Sequence, residues 1–327
     1  MSLIPQVYSS TDAGAPALSG TVGALALLLD AILVDGYGTG GGAKSGAGWT
    51  REFTAAGKRV FRNNPVTGTG YRLRVDDTGS IGNARHAFLR AYSTMTTIDA
   101  GSDPTPTEAQ YANGSLWVKS STLDGISRAW WAVATEKWFY LFIDVGGQGI
   151  FAATPNFAGD FASIKPGDAH SFLLTHSGLT TYTGGVGVQL GRLFLYGSTL
   201  SSGISDASSI GYIGRSYTGV PGAVPVEIMQ DWASGSSSRV GSGGLPFPLP
   251  VNNGLIFTPI YLREGANLPR GRLPHVFAPQ HRAPFADLAT QTGIEGIESV
   301  QIAPKSFQAP SAQASPGQVL IDLTSEA

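Results

Sequence analysis

Cysteine is absent from the 327 residues, which excludes disulfides, thiol nucleophiles and thiolate metal sites and leaves the redox compartment open. Charge is scarce too. Asp, Glu, Lys and Arg make up 13% of the chain, the formal net charge is −2 and no basic block occurs, so the electrostatic footprint of a nucleic-acid binder is missing. Nor is there a long hydrophobic run. The longest, Val22 to Val34 (VGALALLLDAILV), falls short of the roughly 20 residues of a membrane span and is interrupted by Asp30. Met1 to Thr21 holds no Lys or Arg, so neither a secretory leader nor a membrane span is expected.

Glycine (44) and proline (20) are abundant, and 42% of the residues are apolar. That combination predicts a turn-rich, mainly β protein with enough apolar mass to fold without staples.

The first twenty residues read as an extended, small-residued arm. From Ser19, a candidate cap, Val22, Leu25, Ala26, Leu29, Ile32 and Leu33 recur at helical spacing until Gly36 ends the run. Leu27 and Leu28 lie off that stripe, which implies burial on a second side, in the protein's own core or against a neighbouring subunit. Short aromatic-rich strands follow. In GYRLRVDD, Tyr71, Leu73 and Val75 share one face and Arg72 and Arg74 the other; HAFLRAY, GSLWVKSS, RAWWAVAT and KWFYLFID continue the series, and later strands include HSFLLTHSG, GVGVQLGRLFLYGSTL, VPVEIMQDW, GLIFTPIYL and GQVLIDLTS. The expected fold is an antiparallel β-sandwich or barrel-like body with one N-terminal leucine-rich α-helix and extended terminal arms. Residues 1–47 form arm, helix and glycine-rich connector, and residues 48–327 the β-rich body with an extended proline-rich C-terminal region.

The chemical motifs are weak. The run GYGTGGGAKSGAGW (36–49) resembles a phosphate loop, but Ala43 stands where the second glycine belongs, and the run follows a helix and precedes a strand, the reverse of the required order. It reads as a flexible connector. The five histidines, His86, His170, His176, His275 and His281, form no H-E-x-x-H motif; His170 and His176 flank a strand-like segment that would place both on one face, without a carboxylate to complete a metal site. Asp76, Asp77, Asp99, Asp103 and Glu136 are the candidate acids for hydrolysis, but the aspartates sit beside turn residues, where Asp is favoured for bonding its own backbone. No cofactor is expected, and no catalytic residue is assigned. Trp117, Trp130, Trp131 and Trp138 stand either in a β-core or on a glycan-stacking face.

Several longer phrases carry a resemblance. STDAGAPALSGTVGALALLLDAILVDGYG, GWTREFTAAGKRVFRNNPVTGTGYRLRVDDTG, HAFLRAYSTMTTIDAGSDPTP, LPRGRLPHVFAPQH and the ending GQVLIDLTSEA are similar to a family of structural proteins of tailed bacteriophages, over most of the chain. The resemblance implies a small-residue arm, a leucine-rich helix, and a tryptophan-led β-rich body containing the LRVDD hairpin. It implies a virion component of the tail, neck, collar or baseplate, assembling in multiple copies with itself and other virion proteins in the host cytoplasm, without enzymatic activity. Many members carry an extra β module where this chain has only its glycine run, so the run resembles the closed-up site of an optional insertion. The contact expected from the strap LPRGRLPHVF comprises Arg270, Arg272, Leu273 and Pro274, its two arginines able to bond a neighbour's carbonyls or carboxylates. The alternatives are a host-glycan-binding fibre or collar module using exposed aromatics, and a virion-borne glycan hydrolase.

Overall fold

A computed structural model describes residues 4–146, 153–176, 210–229, 257–265, 268–279, 288–294, 297–302 and 320–324. A short strand, β1 (Gln6–Ser9), precedes helix α1 (Ala24–Leu29), which widens into a π-helical turn over Asp30–Asp35. Next come β2 (Thr50–Ala55), β3 (Lys58–Arg62), β4 (Arg72–Asp76), β5 (His86–Tyr92), the small hairpin β6 (Thr94–Thr97) and β7 (Ala100–Ser102), and β8 (Ser115–Val118). The rest of the chain contributes β9 (Trp130–Ala134), β10 (Trp138–Asp144), β11 (Ala153–Asp160), β12 (Ala162–Ser163), β13 (Phe172–His176), β14 (Ile210–Arg215) and β15 (Pro221–Met229). It finishes with β16 (Phe257–Glu264), β17 (Leu268–Pro279), β18 (Thr290–Ile294), β19 (Ile297–Ile302) and β20 (Leu320–Asp322).

The expected mainly β architecture is present. Strands β2-β3-β4-β5-β8 form one antiparallel sheet, and a larger one runs β1-β9-β10-β11-β13-β14-β15-β16-β17-β20-β19-β18. The larger sheet curls until it meets itself: β12, which continues directly from β11, pairs with β17. Strands β11 to β17 thereby close into a barrel-like layer.

Strand β10 shows why the sequence folds this way. Its even positions, Trp138, Tyr140 and Phe142, point into the barrel with Val226, Ile228 and Leu262, while its odd positions, Phe139, Leu141 and Ile143, pack against α1 and the five-stranded sheet. A strand buried on both faces must be apolar throughout, and WFYLFI is. On the outer sheet the alternation is simpler. Leu73 and Val75 enter the core as expected, whereas Arg72 and Arg74 stay at the surface and pair with Glu52 and with Asp76 and Asp99.

The helix differs from its sequence reading in two respects. Ser19 does not cap it; the α-helical turns begin at Ala24, and Asp77, more than fifty residues on, accepts from the Leu25 and Ala26 amides at 2.8 and 3.3 Å. A carboxylate at free helical amides satisfies donors that the chain's local residues leave open. The second difference concerns the off-stripe leucines, of which Leu28 is buried and Leu27 is 57% exposed.

The glycine run is pinned rather than loose. Tyr37 and Lys44 exchange backbone hydrogen bonds at 2.9 and 2.8 Å, the Tyr37 hydroxyl donates to Asp12 at 2.7 Å, and a Cβ on Gly46 would lie 2.2 Å from the Val34 carbonyl oxygen. The N-terminal arm is also held by its own body: β1 pairs with β9 and Tyr8 is fully buried.

Candidate interface site

The four strap residues lie on β17, whose register against β16 slips on both sides of Gly271–Arg272, so Arg270 and Arg272, two residues apart, do not share a face. Arg270 is fully buried: it donates from Nη1 to Ser163 at 2.6 Å, pairs through Nη2 with Asp168, and its Nε lies 3.5 Å from Glu264. Burial works against the Asp168 charge, but hydrogen bonds from Ser163 and Arg270 outweigh it and hold this carboxyl below its ordinary range. Arg270 is thus an internal fastener between β17 and the β12 loop, and the expectation that it reaches a neighbouring chain is corrected. Leu273 is buried in the barrel, and the buried Pro274 uses its carbonyl to accept the Tyr140 hydroxyl at 2.8 Å. Arg272 alone of the four is exposed, and it has no hydrogen-bond or ion-pair partner among the described residues.

The strand is irregular at this point. Arg272 stands opposite Tyr261 and Phe277 opposite Pro259, so Leu273 to Val276 face the single residue Ile260 across β16. On its other edge β17 pairs with β12 at Gly271 and Arg272, then with β20 at Val276 and Phe277, leaving Leu273 to His275 between the two partners. Pro274 has no amide hydrogen to offer a ladder, and His275 takes φ 54°, a left-handed conformation that costs a non-glycine residue of order 1 kcal/mol. His275 also donates from Nδ1 to the Asp322 carbonyl at 3.1 Å. Such a bulge re-aims side chains and interrupts pairing.

The bulge opens a cleft of about 430 Å³, bordered by Lys137, Phe161, Pro259, Arg272, His275 and Asp322. Its close packing below is enforced at Gly271, where a Cβ would lie 2.5 Å from the Ala162 carbonyl oxygen. Both acids at the cleft are engaged. Asp322 accepts from the amide and hydroxyl of Thr324 at 2.8 and 2.7 Å; Asp160 accepts from Asn63 and from the Thr69 amide and hydroxyl at 2.6–2.8 Å. Burial nonetheless pushes the Asp160 carboxyl up to about 6. What remains available is a cation, Arg272, beside an apolar wall. This arrangement suits a carboxylate carried by apolar neighbours.

The other candidates are placed as follows. Trp117, Trp130, Trp131 and Trp138 are each at most 3% exposed, so the aromatic glycan-stacking face is absent at these positions: they pack both cores, with Trp117 and Trp130 donating to the Thr175 and Pro16 carbonyls. Asp77 is buried with Lys119, the buried Asp76 and the exposed Asp99 share Lys58 and Arg74, Asp103 accepts from Ser93 at 2.7 Å, and Glu136 holds Asn64 and Thr67. The histidine pair does not converge. His170 meets the Tyr71 hydroxyl at 2.6 Å at the start of β13, whereas His176 ends it between Tyr111 and Tyr212, and no group of three metal-capable side chains occurs among the described residues. His281 and the segment GVGVQLGRLFLYGSTL lie outside the described residues.

Sequence reading missed the environment of His176. Its ring is buried, neither nitrogen has a hydrogen-bond partner among the described residues, and burial pushes it down from 6.5 to about 4. Below pH 6.5 the unfolded chain takes up a proton that the folded chain refuses, so this residue's contribution is intact above 6.5 and is lost as pH falls towards 4. The loss amounts to about 3 kcal/mol. Asp160 acts oppositely: with its folded value raised from 3.8 to about 6, its contribution is present below 3.8 and lost as pH rises through 6. Urea unfolding of wild type and His176→Phe from pH 7 to pH 4 isolates the histidine. The stability difference, wild type minus variant, is expected to fall by about 3 kcal/mol over that window, and a constant difference would contradict a buried neutral imidazole.

No helix among the described residues is long and apolar enough to cross a membrane. No protein-family model matches the chain, and no curated protein sequence matches it significantly.

Proposed function

We propose that this chain is a structural component of a tailed-bacteriophage particle, present in multiple copies in the tail, neck, collar or baseplate region and working by assembly rather than catalysis. The observation that carries this reading is the resemblance of the five long phrases in the arm, helix, LRVDD sheet, strap and C-terminal segment. The described body is compatible with such a role. Its acids and arginines are largely spent on internal ion pairs, and its cleft offers Arg272, a cation without a partner among the described residues, beside apolar residues.

Quantitative mass spectrometry of purified particles tests the reading. Peptides of this chain are expected in mature virions at several copies per particle, in fixed ratio to the other tail proteins. Their absence from particles of a phage that encodes the chain would overturn the assignment.

A further inference from the structure

The cleft at the β17 bulge has a complementary feature on the same molecule. The loop between β8 and β9 carries Leu123 and Ile126, each 62% exposed, on either side of Asp124, and nothing lies within 4 Å of a Cβ built on Gly125. Two exposed large apolar residues bracketing an acid in one tight turn form a small apolar knob with a charge at its centre. Asp124 Oδ1 accepts from the Ile126 amide at 3.1 Å and lies 3.8 Å from the buried Arg128, which leaves its carboxylate about one-third exposed at the tip of the turn.

Position supplies the second argument. The knob is tied to the far end of β10, where Ser121 donates to the Val145 carbonyl and Asp144 to the Ala129 carbonyl. The cleft lies at the near end of the same strand, beside Lys137 and Trp138. Seven residues of strand separate the two ends, roughly 20 Å at the usual rise, so a molecule cannot seat its own knob in its own cleft.

We propose that the Leu123–Ile126 knob of one copy docks in the bulge cleft of the next, with Asp124 meeting Arg272 and the flanking apolar side chains covering the half-buried Pro259 and Phe277. Knob and cleft at opposite ends of one strand make a heterologous, head-to-tail contact, which repeats into a ring when the rotation closes and into a filament when it does not. Arg272, which has no side-chain partner among the described residues, the bulge that presents it and the exposed leucine and isoleucine all receive a role from this contact.

The inference rests on the multi-copy reading above, but the two fail separately, because this one concerns the purified chain alone. Sedimentation velocity over a concentration series is expected to show reversible association of wild type. Arg272→Glu and Asp124→Lys should each weaken it at least about tenfold, since either places like charges in contact. Arg272 is exposed, whereas Asp124 is half-buried beside the buried Arg128, so thermal unfolding of each variant separates loss of contact from loss of fold. Arg272→Glu, which disturbs no internal pair among the described residues, carries the test if Asp124→Lys unfolds early. A 1:1 mixture of the two variants restores complementary pairs in both directions and is expected to associate again. Leu123→Ser with Ile126→Ser should abolish association without such rescue. Wild type that stays monomeric at millimolar concentration, or single variants that associate like wild type, or a mixture that remains monomeric would each overturn the proposal.

Discussion

Replacing Lys119 with methionine is expected to destabilise the protein by about 3–5 kcal/mol, a large part of the stability of an ordinary domain. Lys119 and Asp77 are both fully buried and paired with each other, Asp77 also caps α1 through the Leu25 and Ala26 amides, and Lys119 bonds the Thr21 carbonyl. Burial pushes the Asp77 carboxyl up and the Lys119 amine down, and their mutual attraction opposes both effects. Removing the lysine strands a carboxylate in the core and weakens the cap on the helix it supports. Asp77→Asn added to Lys119→Met removes the stranded charge while keeping a carbonyl oxygen for the helix amides, so the double variant should be more stable than Lys119→Met alone. Urea unfolding of the three proteins checks both the size and the sign of this coupling. A cost below about 1 kcal/mol for Lys119→Met would mean that the pair is solvated rather than buried.

The second large effect concerns β10. Phe139→Ala and Phe142→Ala are each expected to cost about 3–5 kcal/mol, although the two side chains point in opposite directions. Phe139 meets Trp49 and Trp117 edge-on, with ring centroids at 5.7 and 5.9 Å, on the helix side; Phe142 meets Trp131 at 5.2 Å inside the barrel. A strand of an ordinary sandwich has one face in solvent and tolerates such truncation there. Equal, large losses at both positions, measured by chemical unfolding, would be the signature of a strand shared by two cores. A loss below about 1 kcal/mol at either position would contradict that shared role.

Much of this fold was legible because local signals agreed with the tertiary outcome. The alternation of Tyr71, Leu73 and Val75 against Arg72 and Arg74 needed only the period of a strand, and KWFYLFID was legible as a strand, although its burial on both faces emerges only from the packing of two cores around it. The helix was legible in its apolar stripe but not in its beginning, because the residue that caps it is Asp77, which no local pattern connects to Leu25. Strand β11 went unread for a related reason: ATPNFAGD has proline, asparagine and glycine where a strand pattern needs β-branched residues, and it is held by β10 and β13 on either side. Its tertiary neighbours override its propensity. The strap was legible as a stiff, arginine-bearing segment, yet which arginine faces outwards depends on the register slip of β17 against β16 and on the partner β12, since simple alternation would put both on one face. The bulge that sets Arg272 beside a cleft depends on Pro274 and on the conformation of His275, and HVF gives no sign of a left-handed residue.

Cryo-electron microscopy of intact phage particles, with this chain identified by its side-chain density, tests the central claim most directly. Several copies are expected around the tail or neck axis, with Leu123 to Ile126 of each copy seated against Arg272 of the next. Mature particles whose tail, neck and baseplate density is fully assigned to other chains would contradict it.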